Sequence, residues 1–323
     1  MSLSNTYGTT NPGAQIGNRE DLAAGISMLE PEKTPAYSML SKPSVSAMEF
    51  SWLVDDLTAP TTTPTPEGAP VTSVENQFAN QARLYNNVHK LRETFGVTTE
   101  QEAVDSAGPV TFEGARMKAT KQIKRSMEKT ILGSQDKATQ GSGVAAWQTR
   151  GFADWIDSAG PADVPADYRT PSASIHASGT YTEDIMQSQI ASIFDQTGEV
   201  TNMTLVASSA LRKVINNFFR QEGVTTAKSY MVTEEATERT VTLAVDIFDS
   251  TFGKISVING NPLCFATNVN GYLINPTYAQ VGNLIPLGWK MLPEDGTGEK
   301  GFMDVVFGTK CLNPKAHGKI GTL

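Results

Sequence analysis

Residues 57–72 read LTAPTTTPTPEGAPVT. Pro60, Pro64, Pro66 and Pro70 each fix φ and remove a backbone donor, so neither a helix nor a central strand can run through the stretch. Glu67 is its only charge. Alone, the tract is a linker, but its flanks argue otherwise. In 48–54, MEFSWLV, residues Phe50, Trp52 and Val54 share one face at a strand's period of two. In 83–98, RLYNNVHKLRETFGVT, residues Leu84, Asn86, Val88 and Lys90 alternate with Tyr85, Asn87, His89 and Leu91. Two strands joined by a long, stiff turn make a hairpin-like arm. At ~3.1 Å per residue, Thr58 to Pro70 reaches roughly 40 Å, whereas a compact chain of this length has a radius of gyration of about 20 Å. The arm leaves its own globule and needs a partner.

With 323 residues, 39% apolar and 19% charged, the chain can bury a substantial core in one or two domains. No run approaches the ~18 apolar residues of a membrane span. The start, MSLSNTYGTTNPGAQIG, has neither region of a signal peptide. The expectation is therefore a chain that is not secreted and has no membrane partner. Cys264 and Cys311 read as two buried thiols. A net charge of −8 argues against wholesale nucleic-acid binding and leaves room for a local basic face.

Residues 1–18 are too small and polar to fold alone, which suggests that a neighbouring subunit holds them. Asn18 then caps a short helix carrying Leu22, Ile26 and Leu29, closed by Pro31. The clearest helix is 112–132: Thr111 caps it, and Phe112, Ala115, Ala119, Ile123, Met127 and Ile131 form its apolar stripe. Its other faces carry Arg116, Lys118, Lys121, Lys124, Arg125 and Lys129 against Glu113 and Glu128, one strongly basic element in an acidic protein. That pattern suits a solvated face, or a surface meeting acidic neighbours or phosphate. Residues 136–180 read as a Gly-, Ser- and Pro-rich excursion anchored by Trp147, Phe152 and Trp155. A helix capped by Thr182 and ended at Gly198, the strand MTLVA and the helix SSALRKVINNFFR follow. Strands built on Val241, Leu243, Val245 and Ile247, then KISVI, CFAT, GYLI and FMDVVFG, complete an α+β chain with helices on a mainly antiparallel sheet.

Catalytic constellations are missing from the sequence. His89, His176 and His317 are scattered, neither cysteine has a partner at metal-ligand spacing, and the usual nucleophile, zinc and phosphate-loop motifs do not occur. Gly296, Gly298 and Gly301 spell a dinucleotide fingerprint but precede a strand, which reads as a hairpin turn. The paired acids Asp55–Asp56 and Glu234–Glu235 read as solvated charge. No catalytic residue, metal or cofactor is expected.

The order of parts resembles the major capsid proteins of tailed bacteriophages, the Hong Kong 97-type shell fold, and a branch of them often described as a family of unknown function. The matching stretches are NREDLAAGISMLEPEKTPAYSMLSK, EFSWLVDDL followed by EGAP, RLYNNVHKLRETFGVTTEQEAV, KATKQIKRSMEKTILG, VDIFDSTFGKISVI and GTKCLNPKAHGKIGTL. The resemblance implies an N-arm over 1–45, an extended loop over 46–95, and a peripheral domain over 96–179 with a spine helix at 111–135. An axial domain over 180–290 and return strands over 291–323 complete the pattern. It implies a subunit that partners itself, as hexamers and pentamers, in an icosahedral shell enclosing double-stranded DNA without sequence-specific binding. A separate scaffolding protein and a portal are expected, with room for a cement protein, in a virion assembled in the host cytoplasm. The expected subunit-interface residues are Trp52, Pro64, Pro66, Glu67 and Arg83 in the loop, and Arg116, Lys121 and Arg125 on the helix. No lysine lies between Lys42 and Lys90, so the loop tip cannot supply the lysine–asparagine cross-link that some shells of this fold carry. Two other readings are a cellular cargo compartment of the same fold, and a hydrolase needing His176 or His317 beside a carboxylate in a pocket.

Overall fold

The computed structural model describes residues 33–104, 110–141, 146–200, 202–218, 247–293, 296 and 298–323. The helix capped by Asn18 and the strand through Val241, Leu243 and Val245 lie outside the described residues. Along the chain come α1 (Pro35–Met39), β1 (Glu49–Val54), β2 (Ala82–Asn87), β3 (His89–Val97), α2 (Thr99–Ala103) and the long α3 (Phe112–Ile131). Then follow α4 (Phe152–Trp155), β4 (Ile175–Ser178), α5 (Glu183–Thr197), β5 (Thr204–Ala207) and α6 (Ser209–Phe218). The last six strands are β6 (Ile247–Ser250), β7 (Gly253–Asn259), β8 (Gly271–Ile274), β9 (Ala279–Met291), β10 (Glu299–Cys311) and β11 (Gly318–Thr322).

β1 and β2 form the antiparallel stem of the expected arm, from Glu49 opposite Asn87 to Val54 opposite Ala82. β2 and β3 are one extended run broken only at Val88, whose N–H bonds the Met48 carbonyl at 2.9 Å. Beyond that point the run changes partner, and His89 faces Phe307 of β10. The second sheet, β3-β10-β9, is antiparallel throughout. α3 lies on it for the reason its sequence gives. Ala119, Ile123, Met127 and Ile131 recur every four residues and are buried with Phe95, Met303 and Val305 of the sheet. Ile123, Met127 and Ile131 each contribute roughly 1.5–3 kcal/mol on burial. The Thr111 hydroxyl accepts the Gly114 N–H and caps the helix.

The third sheet runs β4-β11-β8-β5-β7-β6 and is mixed, with β4 parallel to β11 and β5 parallel to β7. Every residue of β5 and β8 is buried, because each face of this sheet serves a different core. Val206, Tyr272 and Ile274 join the core around α3, whereas Leu205, Ala207 and Leu273 pack with Met186, Ile190 and Ile193 of α5 and Leu211 and Ile215 of α6. The Tyr272 hydroxyl donates to the Leu132 carbonyl at 2.6 Å and ties this wall to the end of α3.

Three expectations change. Residues 264–267 form turns instead of a strand, with the Cys264 N–H bonding the Asn261 carbonyl at 3.0 Å after Pro262. β9 is absent from the sequence reading, and its pairing returns the chain to the sheet of β3 and β10 at Ala279, earlier than residue 291. β4 and β11 both enter the mixed sheet, outside the 180–290 span. The glycines at 296 and 298 do lie between the paired strands β9 and β10, at φ +87° and +125°, and Gly301 faces Met291. Both cysteines are buried free thiols.

Candidate assembly surfaces

Every residue from Asp55 to Gln81 is exposed. At the tip the Ala69 N–H bonds the Pro66 carbonyl at 3.2 Å and Gly68 takes φ +76°, a turn that glycine makes without strain. The loop is fixed at its base. Asn80 Nδ2 donates to the Asp56 carbonyl at 3.3 Å, Lys315 Nζ lies 3.3 Å from Asp56 Oδ2, and the Tyr168 hydroxyl donates to the Asn80 carbonyl. Beyond the base, Leu57, Val71, Val74 and Phe78 stand open, with Leu57 and Val74 each 92% exposed. Nothing among the described residues covers them. The sequence held this signal in four apolar side chains along a polar, proline-rich tract.

Pro64, Pro66 and Glu67 sit on that loop, all exposed. Arg83, on the stem, lies 3.5 Å from Glu49 with both side chains largely in solvent. Trp52 does not reach the surface. It stacks on Phe50 at 6.0 Å and packs against Trp155 at 5.7 Å, buried in its own subunit, so it anchors the stem and leaves the set of contact residues. On α3, Arg116 pairs with Glu113 and lies 4.9 Å over the Trp289 ring. Lys121 is exposed, and half-buried Arg125 reaches Gln122 Oε1 at 3.5 Å. Glu128 is not on the basic face. It is buried, where its carboxylate accepts the Ala36 and Tyr37 N–H groups at 3.0 and 2.6 Å and holds α1 against α3. Burial pushes its pKa up despite these two bonds.

Sequence reasoning missed the most demanding site, at Arg150. Its side chain is fully buried, with Asp136, Asp154 and Asp163 at 2.6, 2.9 and 2.7 Å. Its guanidinium lies 4.7 Å from the Trp155 ring centre. Lys137 Nζ meets Asp163 Oδ2 at 2.7 Å and sits over the Tyr85 ring, and the Arg150 N–H donates to Asn86 Oδ1 at 3.0 Å. Excursion and stem are thereby locked together. Burial raises the Asp154 pKa against the pull of Arg150, while at Asp163 hydrogen bonds from Arg150 and Lys137 outweigh burial and hold the pKa low. The only hint in the sequence was the run WQTRGFADWI, which sets an arginine among aromatic anchors.

The histidines do not meet the hydrolase reading's requirement. His176 Nε2 faces the Gly179 carbonyl at 3.1 Å, and buried His317 accepts the Asn275 N–H on Nδ1 at 3.2 Å, its pKa lowered by burial to about 4. Neither bonds a carboxylate among the described residues.

Solved structures share this arrangement. The capsid chain of cyanophage P-SCSP1u is 12% identical, covering 99% of this chain and 97% of that one, with a TM-score of 0.62. The capsid of a native GTA particle is 11% identical over 99% of both chains, with a TM-score of 0.61. A chain of Microbacterium phage Oxtober96 is 13% identical, covering 97% and 98%, with a TM-score of 0.60. The fold is that of the Hong Kong 97-type phage shell proteins. No curated protein matches the chain. The SU10 major capsid protein family matches over residues 4–323, and the chain belongs to it. It is a phage major capsid protein, from a family of structural virion proteins that build the shell by self-assembly.

Proposed function

We propose that the subunit assembles as hexamers and pentamers into a closed icosahedral shell around double-stranded DNA, each loop laid across a neighbour. The exposed run from Asp55 to Gln81, with its four uncovered apolar side chains, carries this reading. Rigid globules touching at their edges bury little area, and an overlapping loop adds interface. Its prolines reduce the entropy lost on docking. Pro64, Pro66, Glu67 and Arg83 meet the neighbour on this reading, with Arg116, Lys121 and Arg125 presented by the spine helix. The arm at 1–45, the loop at 46–95, the peripheral domain at 96–179 and an axial domain from 180 follow, with strand pairing favouring a return at 279. Scaffolding protein, portal and any cement protein are separate chains, and assembly precedes release from the host cytoplasm.

The test is electron microscopy and light scattering of the full-length protein, expressed alone and with its scaffolding protein. Closed shells, or rings near six times 34.7 kDa, are expected. Shells of normal yield from a chain with residues 58–78 replaced by a glycine–serine linker would overturn the loop's role.

A further inference from the structure

β9 is the edge strand of the β3-β10-β9 sheet, and its two halves are treated differently. Beside the first half runs the segment 41–45. The Val281 and Asn283 N–H groups bond the Ser41 and Pro43 carbonyls at 2.9 and 2.8 Å, and the Asn283 carbonyl accepts the Val45 N–H at 3.0 Å. The chain then leaves for β1. Pairing with β10 shifts register between Ile285 and Gly288, and from Gly288 the ladder is regular again. The Leu292 N–H points inward, bonding the Lys300 carbonyl at 2.9 Å. Alternation from that point turns the N–H and carbonyl groups of Met291, Trp289 and Leu287 outward, where no described residue bonds them. Their side chains share the sheet face that carries α3. Leu287 packs on the core around that helix, Trp289 lies under Arg116, and Trp289 and Met291 remain 43% and 53% exposed. An open edge beside an uncovered apolar face is a template for another strand.

A second copy of the same strand fits this edge better than a neighbour's loop. The loop's apolar side chains, at 57, 71, 74 and 78, do not recur every second residue, and its four prolines withhold donors. We propose that residues 287–291 pair antiparallel with the same residues of a second copy, about a two-fold axis through Trp289. In that register Leu287 faces Met291, and every outward N–H of the three residues meets an outward carbonyl. Lys290 faces Gly288, so the two ammonium groups are not set opposite one another. Like surfaces on both partners make the isologous contact that two-fold symmetry requires. Five residues bury far less than the roughly 1,200 Å² of a stable pair, so the contact forms where a shell already holds copies together. The inference rests on the shell reading and adds to it a contact that the loop does not make.

The experiment assembles full-length wild type with its scaffolding protein and reconstructs the shells by electron microscopy. A two-fold-related strand is expected against 287–291. An open edge, or one filled by residues 1–32 or by a neighbour's loop, overturns the proposal. Thiol cross-linking reads the register independently. Cys264 and Cys311 are buried free thiols and leave native shells unlinked. A Cβ added at Gly288 meets nothing nearer than the Pro286 carbonyl oxygen at 3.8 Å, and Lys290 is exposed. Opposed residues lie about 4.5–5.5 Å apart at Cα, within disulfide reach, whereas diagonal neighbours lie about 7–8 Å apart. Shells built from Gly288→Cys and Lys290→Cys chains together should therefore give a covalent dimer on non-reducing denaturing gels. Shells of either chain alone should give the single-chain band. Mixed shells that stay unlinked, or dimers from Gly288→Cys alone, overturn the pairing about Trp289. If the cysteine chains do not assemble, the wild-type reconstruction decides. Wild type that forms no shells removes the shell reading itself, whereas shells with an open β9 edge remove the strand pairing alone.

Discussion

Two stretches of this capsid protein look alike in composition and behave in opposite ways. The loop at 55–81 and the described residues of the excursion at 136–180 are both short of regular structure, and both segments are rich in turn-forming residues. The excursion is fastened to its own subunit by buried Arg150, Phe152 and Trp155. The loop has a clasp at its base and, among the described residues, nothing beyond that holds it to its own subunit. The difference lies in anchors, not in turn content. The excursion's aromatics and its multiply bonded arginine are buried at home, whereas the loop, whose only charge over 57–72 is Glu67 and whose Phe78 stays exposed, is left for a neighbour on the proposed reading. Folding of the isolated chain should therefore depend on the excursion, and assembly on the loop.

The sharpest way to break that contrast is Arg150→Met. It strands three carboxylates around a vacated site and should cost about 3–5 kcal/mol of unfolding free energy, measured with denaturant. An undiminished midpoint would mean that the arginine is not the fastener. A smaller effect comes from acid. The Asp163 pKa is held below its ordinary 3.8, so its stabilising contribution is present above the unfolded value and is lost as pH falls through the folded one. Asp163→Asn should be less stable at neutral pH and show less further loss below about pH 4. A wild-type pH profile in that variant would refute the linkage.

In the loop, Glu67→Lys should leave the isolated chain's unfolding free energy within about 0.5 kcal/mol while impairing assembly. Normal particles in the microscope would sink the loop's side of the comparison. Val74→Ser with Phe78→Ser should act the same way more weakly, lowering shell yield while leaving the melting curve in place. Smallest of all, assembled shells should dissolve to a single 34.7 kDa band on denaturing gels, since no lysine lies between Lys42 and Lys90. A ladder of multimers would overturn that expectation.

Local patterns in the sequence showed the stem strands, the spine helix with its Thr111 cap, and the helix from Thr182 to Gly198. β9 escaped because Gly282, Pro286 and Gly288 break its alternation and its pairing with β10 shifts register twice. Trp52 looked like a contact residue because its partner Trp155 lies about a hundred positions away. Glu128 looked solvated because helical spacing cannot show that α1 will lie over it. The Arg150 site draws Asp136, Asp154 and Asp163 from the same irregular stretch, and no periodic pattern there shows how that stretch folds back on itself.

The extended course of β2 into β3, broken only at Val88, has a mechanical consequence. A loop gripped by a neighbour pulls along this strand, and the load passes through Val88 without crossing a flexible joint. It arrives at a ladder in which residues 89–97 face 299–307 of β10. Because the pull runs along the strand, those hydrogen bonds are loaded in shear and share the force, instead of opening one after another from an end. On the proposed reading, tension between subunits would thus reach the ladder of β3 and β10, which can spread it.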